Sequence, residues 1–271
     1  MPAVPGPPRP PRGTVALRAL ELGALEYLAA GAAAVAAGAV NAVAGGGTLI
    51  SFPALIGIGV PAVPANITNT VSLLPGYLGG SWAQRADLEP QLAHAKALSA
   101  VSAVGGLAGS VLLLVIPARS FRLSVPYLIL LACALLLAQD RMRQWLVRDG
   151  GRAGGHHAAL VGSSFLAAVY GGFFGAGLGI MLLAILGLFR AESLVRLNAL
   201  KQALSFVINL VAAVFFLFSG RVVWELVPVM AVASLVGGAL GARSVHLIPA
   251  VWLRRLVVVT GVAVAVALWV G

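Results

Sequence analysis

Three consecutive glycines, Gly45, Gly46 and Gly47, stand inside a hydrophobic run, preceded by Asn41 and followed by Thr48. Without side chains the backbone is free to leave helical geometry, and the next helical segment then opens with amide N–H groups that lack intrahelical partners. In hydrocarbon such groups are tolerated only where they face protein or a wet cavity. Exposed N–H donors at the positive end of a helix dipole form an anion site. Thr48 is able to cap the segment that follows. The competing reading of the same glycines is a surface for close helix packing. A second break, Gly175 and Gly177 flanking Ala176, lies 130 positions further on (175 minus 45), again within apolar sequence.

Polar side chains inside the apolar runs are the next candidates. Asn66, Thr68, Asn69, Thr70 and Ser72 open one segment, and Asn198, Lys201, Gln202 and Ser205 open its counterpart, with Asn69 aligning on Asn198 at an offset of 129. An asparagine amide donates to an anion or satisfies carbonyls freed by a neighbouring break, and both roles stay open. Lys201 is the one cation drawn well into a span, where it serves as a counter-ion to an anionic substrate or snorkels to the interface. The eight carboxylates (Glu21, Glu26, Asp87, Glu89, Asp140, Asp149, Glu192 and Glu225) fall at span ends or in loops. None is placed at a midplane to relay protons or hold sodium.

The elements that carry these residues occur twice. Val104-Gly105-Gly106-Leu107-Ala108-Gly109 runs down to Ile116-Pro117 and then Arg119 and Arg122, while Val236-Gly237-Gly238-Ala239-Leu240-Gly241 runs down to Ile248-Pro249 and then Arg254 and Arg255. Both ends of the match keep one offset, 132 (237 minus 105, 249 minus 117). Candidate spans are 22–44, a short 47–59, 66–84, 92–115 and 122–138, then 157–174, a short 178–189, 197–219, 223–245 and 252–270. We therefore expect an all-α integral membrane protein of about eight transmembrane helices in two sequence-related repeats, each with a Gly-rich break. The organisation expected is a Pro- and Arg-rich disordered tail (1–20), membrane repeat 1 (21–138), a basic linker (139–156) acting as a hinge, and membrane repeat 2 (157–271). Each short piece is a re-entrant half-helix or the end of a long broken one. An even number of crossings per repeat gives parallel halves and an odd number inverted halves. The similar basic ends after Pro117 and Pro249 favour parallel halves of four spans each.

Composition excludes most alternatives. With 60% hydrophobic and 10% charged residues, the 271-residue chain has too few charges to cover a soluble globule, and its mean hydropathy is +1.00. The 33 glycines suit closely packed membrane helices. A net charge of +10 comes from single basic residues scattered between apolar runs, so anchoring at an anionic leaflet of the bilayer is expected rather than nucleic-acid binding. The single Cys133 precludes an intrachain disulfide and a multi-cysteine metal site. His94, His156, His157 and His246 sit at span ends or in the linker, where they do not converge as catalytic or metal groups. No cofactor and no enzymatic activity are expected. A non-transporting assembly protein would need large loops or amphipathic surfaces, and these loops are short. Duplication with paired breaks is the pattern of a transporter. No removable signal peptide is recognised, and the oligomeric state is not set by the sequence.

Asn41 to Gly47, Pro53-Ala54-Leu55, Ala65-Asn66-Ile67-Thr68-Asn69 to Leu74-Pro75-Gly76, Gly171-Gly172-Phe173-Phe174-Gly175-Ala176-Gly177, Asn198-Ala199-Leu200-Lys201 and the Gly238 to Arg243 end together resemble the sulfite exporter TauE/SafE family. The resemblance spans about 25–271. It implies a multi-span permease of the inner cell membrane that exports sulfite, sulfonates and related sulfur-containing anions. Gln202 stands where the family usually has asparagine. The implied substrate site comprises Asn41, Gly45, Gly46, Gly47, Thr48, Asn69, Gly175, Gly177, Asn198 and Lys201.

Overall fold

An apolar chain in hydrocarbon must satisfy its own backbone, and the helix does so within one segment. The computed structural model describes residues 22–43, 45–148, 157–190, 192–244 and 250–270, and all regular structure among them is helical. The elements are α1 (Ala24–Val43), α2 (Thr48–Gly57), α3 (Ala62–Ala83), α4 (Arg85–Leu88), α5 (Leu92–Val115), α6 (Ala118–Arg148), α7 (His157–Phe173), α8 (Leu178–Phe189), α9 (Leu194–Leu217), α10 (Val227–Ser244) and α11 (Ala250–Val270). By length and composition, four of the described helices suffice to cross a membrane, with shorter apolar helices beside them. The 1–20 tail lies outside the described residues. So does 149–156 of the expected linker, whose first part is helical because α6 continues to Arg148.

The polarity of the molecule is that of a lipid-solvated bundle. Large apolar side chains face outward, among them Leu28, Val104, Leu123, Leu137, Leu166 and Val232. Asn41, Asn66, Asn69, Ser72, Lys201 and Gln202 are buried. No aspartate or glutamate is buried among the described residues. In water this arrangement would be costly in both directions. In a bilayer it places apolar surface against lipid and polar groups against one another.

Glycine contacts set the helix directions. Gly31 packs on Val229, Gly38 on Ser234 and Gly241 on Ala39, so α1 and α10 run parallel. Gly105 packs on Phe165 and Ala168, and Gly109 on Val169 and Phe173, so α5 and α7 also run parallel. Ser81 Oγ donates to the Gln202 carbonyl (3.1 Å), whereas near the other end of α3 Thr68 Oγ1 accepts from Val223 N–H (2.9 Å), which makes α3 and α9 antiparallel. The start of α3, the α5–α6 turn and the α9–α10 loop meet around one cavity and therefore share one end of the bundle. The α1/α2 hairpin begins and returns at that end, since α10 starts there and α3 follows α2. The α7/α8 hairpin begins and returns at the opposite end, where α9 starts. The parallel halves expected from the two basic ends are thus not what the chain forms. Both halves open on a helix that folds back on itself, and the second half starts from the other end of the bundle.

Candidate functional site at the meeting of two helix breaks

Each hairpin turns through glycines with positive φ, Gly45 (73°) and Gly46 (133°) in the first and Gly175 (76°) and Gly177 (77°) in the second. L-residues with side chains rarely adopt these conformations. The first turn brings Gly47 back beside Ala37, and α2 starts at Thr48 partway through the bundle. The two turns meet. A β-carbon placed on Gly45 would lie 3.0 Å from Gly179 Cα, so the backbones are in direct contact. The amino ends of the half-helices α2 and α8 therefore converge from opposite directions, and each carries the positive end of a helix dipole.

Lys201 joins them. It is 1% exposed, and its aliphatic stem lies against Gly179, with Cδ 3.5 Å from where a β-carbon would stand. One turn further along α9, Ser205 is buried and its hydroxyl is without a hydrogen-bond partner. From α3, Asn66 Nδ2 donates to the Phe173 carbonyl just before the second break (3.0 Å), and Asn69 Nδ2 points to Thr48 Oγ1 at the start of α2 (3.5 Å, a long contact). These asparagines are three positions apart, so one face of α3 touches both hairpins. Both Oδ1 atoms are buried without a partner. These amide oxygens can only accept, so a donor such as a water completes their bonding. Helix α6 closes one side, with Leu136 against Gly46 and Ala132 against Gly177.

The first break is held shut by its own chain. Asn41 Oδ1 accepts from Gly46 N–H (3.1 Å) and Gly47 N–H (2.7 Å), and Gly45 N–H donates to the Val40 carbonyl (3.0 Å). The amides expected to lack intrahelical partners thus have one in Asn41. A tyrosine pins the second break, where the Tyr170 hydroxyl donates to the Ala176 carbonyl (2.6 Å), and Tyr77 of α3 is buried near Thr48 and Asn41 of the first.

The family model of sulfite exporter TauE/SafE matches residues 30–268, which takes in both hairpins and Lys201. The chain belongs to this family. Among similar proteins, a "Probable membrane transporter protein" of Haemophilus influenzae is 30% identical over 224 residues, covering 81% of this chain and 85% of its own. "Probable membrane transporter protein ORF9" of Sinorhizobium sp is 28% identical over 251 residues, 87% of this chain and 89% of its own. "Probable membrane transporter protein YfcA" of Escherichia coli K12 is 26% identical over 212 residues, 76% of each chain. No solved structure matches this chain. This TauE/SafE chain is accordingly a transmembrane permease built of apolar helices.

Of the site residues expected for a TauE/SafE member, the structure brings together Asn41, Gly45, Gly46, Gly47, Thr48, Asn69, Gly175, Gly177 and Lys201 around the two breaks. Asn198 stands apart from them. Its Nδ2 donates to Gln84 Oε1 (2.6 Å), tying the start of α9 to the end of α3. The offset that paired it with Asn69 describes sequence spacing, and the two amides lie at different depths. Asn66 and Ser205, polar candidates by sequence but outside the expected substrate set, lie in the same region with Tyr77 and Tyr170, which were not candidates. Asn66 was legible as the i−3 neighbour of Asn69 on one helix face, while neither tyrosine carries a sequence signal that separates it from an interfacial anchor.

Proposed function

We propose that this permease exports small sulfur-containing anions such as sulfite or sulfonates, bound where the two Gly breaks meet. The observation that carries this reading is the contact of Gly45 with Gly179 alongside the buried Lys201. Two half-helix amino ends and one ammonium group supply positive potential from three directions inside a low-dielectric bundle. The Nδ2 donor of Asn69, engaged only by a long contact to Thr48 Oγ1, is able to turn to an acceptor oxygen of the ligand. The donors at Gly46 and Gly47 become available to cargo when Asn41 turns away, so Asn41 acts as the stand-in for the anion in the closed form.

On this reading eight long helices form two sequence-related repeats of inverted sense, with α2 and α8 as the half-helices of each. Either hairpin can move while the other holds the cargo, which gives alternating exposure around one central site. Efflux of an anion from a negative interior gains about 2.3 kcal/mol per charge per 100 mV, so no proton or sodium relay is needed. The membrane is the inner cell membrane, with lipid and the small anion as the partners. A second reading, export of another small anion or metabolite, rests on the same geometry, because backbone amides and one lysine recognise charge and acceptor oxygens more than sulfur.

The test is efflux of labelled sulfite, with sulfoacetate in parallel, from sealed vesicles holding the purified protein at a set potential. Protein-dependent, potential-driven flux that persists with a proton uncoupler at clamped potential is the expected result. Absence of flux for both, in well-inserted protein, removes these cargoes. Flux abolished by the uncoupler at clamped potential removes the passive mechanism.

A further inference from the structure

A cavity of about 890 Å³ opens at the end of the bundle shared by the α5–α6 turn, the start of α3 and the α9–α10 loop. Arg119, Arg122 and Arg221 line it with Pro61, Pro117 and Ser219, and no carboxylate is among its lining residues. The first turn of α6 and the α9–α10 loop thus bring three arginines to one concavity, where like charges oppose one another unless an anion lies between them.

Membrane orientation does not account for these arginines. The opposite end of the bundle holds Arg85, Lys96, Arg141, Arg190, Arg196 and Arg255, at the ends of α3 to α6 and of α8, α9 and α11. Among the described residues the excess of basic residues is at that end, which by the orientation rule makes it the cytoplasmic one and turns the cavity outward. Basic residues gathered on the outer face oppose the orientation rule, so another role has kept them there.

An aromatic cluster lies between the cavity and the breaks. Phe121 lies on α6 between Arg119 and Arg122 and is turned fully inward, with no exposed surface. Its ring meets Phe173 (centroids 5.5 Å) and Phe174 (6.3 Å) edge-on, and Phe174 in turn meets Phe52 of α2 (5.2 Å). Phe173 and Phe174 immediately precede Gly175, and Phe52 lies one turn beyond Thr48. Four rings therefore fill the space between the arginines and the central site.

We propose that this cavity is a second, outer anion-binding site: Arg119, Arg122 and Arg221 hold an oxyanion at the outer mouth, separated from the central site by the Phe52, Phe121, Phe173 and Phe174 cluster. Its place on a transport path rests on the central-site reading above; its binding of an oxyanion does not. The oxyanion chemistry is shared by sulfite and by a lipid phosphate, and the test separates them.

Two measurements are made on the full chain. In the first, labelled sulfite binding is measured on detergent-purified K201Q protein, whose central cation is gone, with and without R119Q/R122Q/R221Q. Binding that survives K201Q and is lost on adding the arginine substitutions supports the outer site even where vesicle flux of every anion is absent, a result that would sink the central reading alone. No arginine-dependent binding, in protein that elutes as a single folded species, overturns the outer site. In the second, sulfite flux is measured from each face in vesicles of phosphatidylcholine alone and with phosphatidylglycerol. The triple variant is expected to raise the KM at the cavity face about tenfold, with kcat and the KM at the other face unchanged and with weaker salt dependence. The single variant R221Q, on a loop, should give a smaller shift in the same direction. An equal rise at both faces, no change, or an effect seen only with phosphatidylglycerol overturns the proposal, the last by assigning the arginines to a lipid headgroup.

Discussion

Gly45 and Gly179 lie 134 positions apart in the chain (179 minus 45) and touch backbone to backbone, with each blocking a β-carbon on the other, at 3.0 Å and 3.2 Å from the opposing Cα. This contact brings the amino ends of α2 and α8 together and leaves Lys201 packed against Gly179. Most of what the centre of the protein can do follows from it.

Alanine at either position tests that contact. Gly45→Ala adds a strained positive φ to the steric overlap, so a loss of about 1–3 kcal/mol in stability and a large loss of transport are expected. Gly179→Ala carries the overlap alone and should cost less stability, with a comparable loss of flux. Gly162→Ala, in open space on α7, is the control and should be neutral or stabilising by up to ~1 kcal/mol. Thermal unfolding in detergent and vesicle flux read the two effects separately. Normal flux in both Gly45→Ala and Gly179→Ala would mean that the meeting point only packs helices.

Gly46 faces Leu136 at 3.9 Å and has room for a small side chain, but its φ of 133° does not suit one. Gly46→Val should therefore insert normally and block transport. Wild-type flux would assign these glycines to packing.

Asn41 closes two buried amides at once. Asn41→Ala leaves Gly46 and Gly47 N–H unsatisfied and should lower stability by about 1–3 kcal/mol, measurable as a drop in Tm. If the cargo takes the place of the Asn41 oxygen, added sulfite should recover part of that loss in Asn41→Ala and much less in the wild type. An equal response of both proteins would separate Asn41 from the anion site.

Lys201→Met keeps the length of the side chain and removes the charge. Anion flux is expected to fall by about a hundredfold, the scale of losing one desolvated charge contact of roughly 3 kcal/mol. Monodisperse elution with flux within twofold of wild type would show that the lysine serves packing alone.

The two asparagines that align at an offset of 129 should behave differently. Asn69→Ala acts at Thr48 and the first break and should abolish most flux, whereas Asn198→Ala breaks only the Gln84 contact and should change flux by about twofold or less, at a cost near 1 kcal/mol in stability. Equal losses in side-by-side flux assays would restore Asn198 to the substrate site.

Much of this molecule was legible from residue types. The segments 92–115 and 178–189 coincide with α5 and α8, because unbroken apolar runs between turn-forming residues leave the backbone no choice in lipid but the helix. The breaks were legible because Gly45-Gly46-Gly47 and Gly175-Ala176-Gly177 interrupt such runs, and four of these glycines, Gly45, Gly46, Gly175 and Gly177, take the positive φ that only glycine adopts easily. The extent of α6 was underestimated: Asp140, Arg141 and Arg143 resemble a loop by charge, but a helix that leaves the bilayer carries charge without penalty.

The sense of the two halves was not legible. Arg119 and Arg122 asked for the same side as Arg141 although one continuous helix, α6, separates them, and only the fold-back of α1 on α2 and of α7 on α8 shows in which sense each half runs. Likewise, composition determined that polar groups would be buried and apolar ones exposed, but not which polar groups would meet. Spacing along the chain says which residues share a helix face. Whether Asn69 or Asn198 reaches a break, whether Gly45 meets Gly179, and whether arginines of α6 and of the α9–α10 loop line one cavity depend on contacts between separate segments, and those are decided only by how the helices pack.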